Sequence, residues 1–188
     1  MARQVHLFDR PARFVAGTVG QPGDRTFYLQ ASASGRTVSV SLEKVQVTLL
    51  ADRLEELLAE VQRRLGVPVA EVAPPGTDDN EPLDTPVDEE FRVGAMGLAW
   101  DGEAELVVVE AQAAGDEPAD ESTILEDVED GPDVLRVRIT SAEARAFVER
   151  ARRVVSAGRP PCPLCGLPLD ATGHVCPRQN GYRRAPAA

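Results

Sequence analysis

Lysine appears once in this chain, at Lys44, histidine twice, at His6 and His174, and aromatic side chains make up only 4% of it. A histidine-based acid–base site outside the C-terminal region would have to be built on His6 alone. A single strand histidine beside Asp9 and Arg10 reads as structural. Two catalytic signatures are missing as well: there is no Gly-x-Ser-x-Gly elbow and no phosphate loop ending in Gly-Lys-Ser/Thr. No apolar run approaches the roughly 20 residues that a membrane span needs. The start Met1-Ala2-Arg3-Gln4-Val5 lacks the charged-then-apolar order of a signal peptide. These absences predict a cytoplasmic protein with no membrane partner. They lean away from an enzyme, although the many carboxylates of the chain offer possible pairs with no reason to prefer one.

Cysteine is scarce too, but all three copies fall within fifteen residues and join a histidine as Cys162-x2-Cys165-x8-His174-x-Cys176. Cys162 and Cys165 followed by Gly166 have the form of a knuckle, a tight turn in which backbone N–H groups face both thiolates. His174 and Cys176, two apart, share one face if extended, and Gly173 allows a hairpin. Four soft or borderline donors suit tetrahedral Zn2+ and leave no open position for water, so the reading is a structural zinc held by Cys162, Cys165, His174 and Cys176. The short His-x-Cys spacing keeps Asp170 as a substitute ligand. Two other readings are weaker. A Cys162–Cys165 disulfide leaves an odd thiol and needs an oxidising compartment. A thioredoxin-like Cys-x-x-Cys opens a helix, which Pro160, Pro161, Pro163 and Pro168 oppose.

Positive charge is short overall, with a net charge of −11. Residues 159–188 carry Arg159, Arg178, Arg183 and Arg184 against Asp170, formally +3, which leaves −14 on residues 1–158. Phosphate neutralisation dominates nucleic-acid affinity, so the body is excluded as a nucleic-acid platform and only the tail qualifies. There Arg178, Asn180, Tyr182, Arg183 and Arg184 combine a ring with guanidinium groups able to stack on a base or grip an anion. The competing reading packs Tyr182 on the protein and pairs the arginines with the acidic body.

What is present in the body is an internal repeat. Phe14-x-x-Gly17-x-x-Gly20 recurs as Phe91-x-x-Gly94-x-x-Gly97, followed by turns at Pro22-Gly23 and Asp101-Gly102. Apolar strands follow at 27–31 and 106–111. Alternating strands at 37–40 and 134–139 then lead into helices. The first helix is read with Leu42, Val45, Leu49, Leu54, Leu57, Leu58, Val61 and Leu65 on one apolar face, stopped by Gly66 and Pro68. The second carries Ala144, Phe147, Val148, Ala151, Val154 and Val155, opened by a Thr140–Glu143 capping box and stopped by Gly158 and Pro160. The fold class expected is α+β: duplicated β-β-β-α units forming antiparallel sheet or sheets with two packed helices and an approximate two-fold axis, plus a small C-terminal zinc-binding tail. The domains are 1–158, with repeat 1 at 11–66, an acidic linker at 67–90 and repeat 2 at 91–158, then a zinc-ribbon-like tail at 159–188. Residues 5–8 form an extra strand. The linker and the acid-rich stretch 116–130 read as solvated loops. The paired glycines read as bulges in a curved sheet ahead of a ligand cradle.

The segments 13–23, 41–47 and Cys162-Pro163-Leu164-Cys165-Gly166 with 173–184 resemble an uncharacterised bacterial family of high-GC genomes, a conserved repeat-bearing domain of unknown function with a zinc-ribbon-like tail. The resemblance spans nearly the whole chain and implies no particular activity, cofactor or partner. The function expected from the residues is that of a non-catalytic binding or adaptor protein with a protein partner. Two alternatives stand beside it. One is an enzyme or nucleotide or phosphate sensor with a pocket at the repeat interface, near Lys44, Arg13 or Arg25. The other is RNA binding through the tail.

Overall fold

The computed structural model describes residues 3–69, 72–115, 125–126, 128, 130–158, 161–167, 169 and 174–178. Seven strands and two helices follow the order β1 (Val5–Asp9), β2 (Arg13–Gln21), β3 (Asp24–Ala33), β4 (Arg36–Leu42), α1 (Lys44–Leu65), β5 (Glu89–Asp101), β6 (Leu106–Ala113), β7 (Val134–Ile139) and α2 (Ser141–Ser156). The class is α+β. All strands belong to one sheet ordered β1-β7-β6-β5-β4-β3-β2.

The sheet is mixed, where a wholly antiparallel one was expected. Hairpins make β2–β3, β3–β4, β5–β6 and β6–β7 antiparallel, but β4 pairs with β5 in parallel, as does β1 with β7. The helix between β4 and β5 is the reason, since a long crossover returns the chain in the same direction. At this joint the last strand before α1 meets the first strand after the linker. β1 takes beside β7 the parallel place that β5 takes beside β4.

The alternation of the strands decides what is buried. Leu29, Ala31, Val38, Val40, Val107, Val109, Ala111, Leu135 and Val137 face the helices and form one core with Leu50, Leu54 and Leu58 of α1 and Phe147, Val148 and Ala151 of α2. Each fully buried leucine contributes on the order of 1.5–3 kcal/mol. Phe14 of β2 stacks on Phe147 of α2 at 4.7 Å between ring centres. The sheet curls around this core until β1 meets β3, five places away in the sheet.

Both helix stops lie near the expected positions, Gly66 closing α1 in the left-handed region at φ 66° and Ala157 capping α2. Thr140 and Glu143 form the capping box. The phase of α1 differs from expectation. Leu42 belongs to β4, and Val45 and Leu49 are 70% and 50% exposed. The buried stripe is Val47, Leu50, Ala51, Leu54, Leu58 and Val61. Leu54 and Leu58 set the register, and three- and four-residue steps back from them land on Leu50, Ala51 and Val47.

The acidic linker is docked rather than solvated. Arg13 grips Asp79 at 2.6 and 3.0 Å and Asp84 at 2.9 Å. Arg150, buried in α2, donates to Asp79 Oδ1 at 2.6 Å, to the Glu81 carbonyl at 2.8 Å and to the Ala16 carbonyl on the edge of β2 at 2.8 Å. Gln30 reads the Asp84 backbone like a strand, accepting from its N–H at 2.8 Å and donating to its carbonyl at 3.0 Å. Leu83 is buried over Gly17, where an added Cβ would lie 2.5 Å from the leucine side chain. The linker is therefore a strap across the outer face of β2, β3 and β4, and Gly17 is small to admit it. Gly94 sits at a bulge between Val93 and Ala95, where an added Cβ would lie 2.8 Å from the Ala114 Cα. Of the second acidic stretch, residues 116–124 lie outside the described residues. Within the described part, the Leu125 N–H donates to buried Glu110 at 3.1 Å, which Arg3 and Arg136 also hold at 2.8 and 2.7 Å.

Candidate metal centre

Helix α2 cannot continue through Pro161, which lacks the N–H a helix needs, and from there the chain turns on itself. The Cys162 N–H donates to the Leu167 carbonyl at 2.7 Å, and the Gly166 N–H to the Cys162 carbonyl at 2.8 Å. Gly166 takes φ 75°, the left-handed conformation a side chain would oppose. This closed turn aims the Leu164 N–H at Cys162 Sγ, 3.4 Å away. It is the knuckle expected from the Cys-x-x-Cys-Gly spacing.

The second pair of donors comes from residues 174–176, which run in irregular backbone with no ladder partner among the described residues. Gly173 and Asp170 lie outside the described residues. Cys165 Sγ and His174 Nε2 stand 3.2 Å apart, and Cys162 Sγ and Cys176 Sγ 3.9 Å apart. All four donor atoms of Cys162, Cys165, His174 and Cys176 lie within 4.8 Å of one another. Zinc–sulfur and zinc–nitrogen bonds of about 2.3 and 2.1 Å in a tetrahedron put donors roughly 3.4–3.8 Å apart. The cluster is thus of the right size and chemistry to hold a metal ion after small closing movements.

Local electrostatics favour a thiolate on one side. Backbone N–H groups of Cys165 and Leu164 hold the Cys162 thiol below its ordinary range. Desolvation pushes the Cys165 thiol up. All three cysteines are free thiols. The disulfide reading fails for this arrangement.

Of the tail set, Arg178 is described and exposed, while Asn180, Tyr182, Arg183 and Arg184 lie outside the described residues. Elsewhere the structure sorts the residues that sequence reading singled out. Arg13 is consumed by the strap. His6 is buried between Arg36, 2.8 Å from Nδ1, and Glu90, 3.6 Å from Nε2. Lys44 and Arg25 do come together: with Arg92, Thr26, Ser41 and Glu43 they line a pocket of about 260 Å³. Arg25 also donates to the Val154 and Ala157 carbonyls at the end of α2, and Arg92 pairs with Glu43. Arg92 escaped sequence reading because nothing in its strand links it to residues nearly fifty positions earlier. Arg150 and Asp79 escaped it for the same reason.

A seven-stranded α+β protein with a Cys3His cluster fit for a metal ion is the class that fold and site define. No helix among the described residues is long and apolar enough to cross a membrane. The chain belongs to the DUF3090 family, described as protein of unknown function, whose model matches residues 6–176. That match runs from His6 in β1 to the last cysteine of the cluster. No curated protein matches the chain, and no solved structure does.

Proposed function

We propose that the protein is a zinc-ordered binding protein in which the metal is structural and the basic tail, with Arg178, Asn180, Tyr182, Arg183 and Arg184, contacts a protein partner. The observation that carries the reading is the convergence of four protein donors within 4.8 Å. Four donors complete a tetrahedron and leave no coordination position for substrate or water. Such a site stabilises a short segment with too little apolar surface to fold alone. The tail's charge of +3 against −14 in residues 1–158 supports a contact role for it. Metal analysis of the purified chain tests the reading: one zinc per chain is expected, lost in Cys165→Ser. Cross-linking in native lysate should then give a partner band with the wild type that the Cys162→Ser chain lacks. A metal-free wild type that keeps the same partner band would overturn it.

A second reading is favoured by one observation, the meeting of Arg25, Lys44 and Arg92 around one pocket. Three cations and two hydroxyls in an acidic protein suit a small anionic ligand such as a phosphate ester. Calorimetric titration with inorganic phosphate and nucleotides separates the two, since binding that disappears in Lys44→Ala would favour this pocket.

A further inference from the structure

The parallel joint in the sheet is short. β4 ends at Leu42 and pairs with β5 only as far as Arg92. β5 runs on to Asp101 with β6 on one side. On the other side, among the described residues, no backbone group meets residues 95–101. The one polar group satisfied there is the Val93 carbonyl, which accepts from Gln46 Nε2 of α1 at 3.2 Å. Beyond that bond, seven residues of strand present an open edge.

The open edge borders a groove. Between it and α1 lies a cavity of about 500 Å³ lined by the apolar Leu49, Leu57, Met96 and Leu98 and by the charged Arg53, Glu56 and Glu60. Its apolar side follows from the phase of α1, since the buried stripe passes on one side of Leu49 and leaves it half exposed. A leucine pair and a methionine beside unpaired backbone are costly to leave in water and invite a covering segment.

We propose that this edge and groove dock an extended peptide segment of a partner protein, which adds a strand to β5. Only extended backbone matches the two-residue repeat of an open edge. Its inward side chains would be apolar, against Leu49, Met96 and Leu98. Its outward side chains would lie beside Ala95 and Ala99, which stand on the other face and leave room for long ones. Charge selects the end. Glu103 and Glu105 are exposed in the turn that follows β5, and residues 1–158 carry −14, so the docked segment is basic where it passes that turn. The same charge argues against a second copy of this chain, because two acidic bodies repel at close approach. The inference gives the binding reading a surface and rests on that reading, but not on the metal.

The probe is a blocked, labelled peptide of alternating valine and threonine ending in two arginines, followed by fluorescence anisotropy on the full chain. Binding is expected, weakened at least tenfold by Leu49→Asp and by N-methylation of one of the two alternate sets of peptide amides. Leu49 is half exposed, so the substituted chain folds, as circular dichroism will show. Binding should persist in Cys162→Ser, so that loss of the metal reading and loss of this one are told apart. Equal binding of both methylated peptides would overturn the proposal. So would a dimer in sedimentation that Leu49→Asp disperses, which would assign the edge to self-pairing. Hydrogen exchange on the free chain supplies a readout independent of peptide sequence. Alternate amides within residues 95–101 should exchange about tenfold faster than those of β6, and uniform protection would mean the edge is already covered.

Discussion

Arg36 at the start of β4 donates to Nδ1 of His6 on β1 at 2.8 Å. These strands are four places apart in the sheet, a separation of roughly 19 Å if the sheet were flat at about 4.8 Å per strand. The contact exists because the sheet curls. The same guanidinium lies 5.0 Å over the ring of Phe8, so one arginine ties the N-terminal strand across the mouth. An accepting Nδ1 puts the proton of the neutral ring on Nε2, toward Glu90.

Removing this tie should loosen β1 more than the rest. Arg36→Met is expected to cost about 1–2 kcal/mol, the range of a charge-assisted bond with a cation–π contact. Urea unfolding gives the total. Hydrogen exchange should rise first across residues 5–9.

The strap makes stability fall in acid. Arg13, bonded to Asp79, and then Arg150 hold the Asp79 carboxyl below the usual carboxylate range. A carboxylate depressed in the folded state stabilises fully above its unfolded value, near 4, and that stabilisation disappears as pH falls through the lower folded value. Asp79→Asn should therefore lose about 2 kcal/mol at pH 7, because Arg150 is left buried with one charge unmatched. The variant should also show a flatter decline between pH 4 and lower values, read from urea midpoints across pH.

Gly17 and Leu83 form a coupled pair. Gly17→Ala is expected to destabilise by about 1–3 kcal/mol through overpacking. Adding Leu83→Ala should recover part of that loss. A double-mutant cycle reads the coupling, and additive effects would refute the contact.

Chelation should act locally. With the metal removed, trypsin should cut the chain after Arg178 at least tenfold faster while the thermal midpoint of the body stays within a few degrees, since no hydrogen bond among the described residues ties the cluster to the sheet. A body that melted together with the cluster would contradict this.

The sequence exposed whatever is encoded in near neighbours. The capping box of Thr140 and Glu143, the glycine stop at Gly66, the hairpin turns and the donor spacing from Cys162 to Cys176 all depend on residues a few positions apart, where local geometry decides. Relations over long separations stayed hidden. Nothing in Arg13 points to Asp79, sixty-six positions later, nor in Arg150 to Ala16, and so a docked strap reads as a solvated linker. The phase of α1 is ambiguous at its start because Val45 and Leu49 satisfy the same spacing rule as Val47 and Leu50. Only the curvature of the sheet decides which set it covers.

Val5 lies in register with Val134, so β1 has no strand to pair with until β7, far along the chain, has been made. During translation β1 must wait, its inward His6 and Phe8 side chains not yet covered by β7, while β2 to β6 assemble. Completion of the body therefore depends on the emergence of β7 from the ribosome, and a chain interrupted before Ile139 would leave β1 an orphan, open to pairing with strands of other molecules.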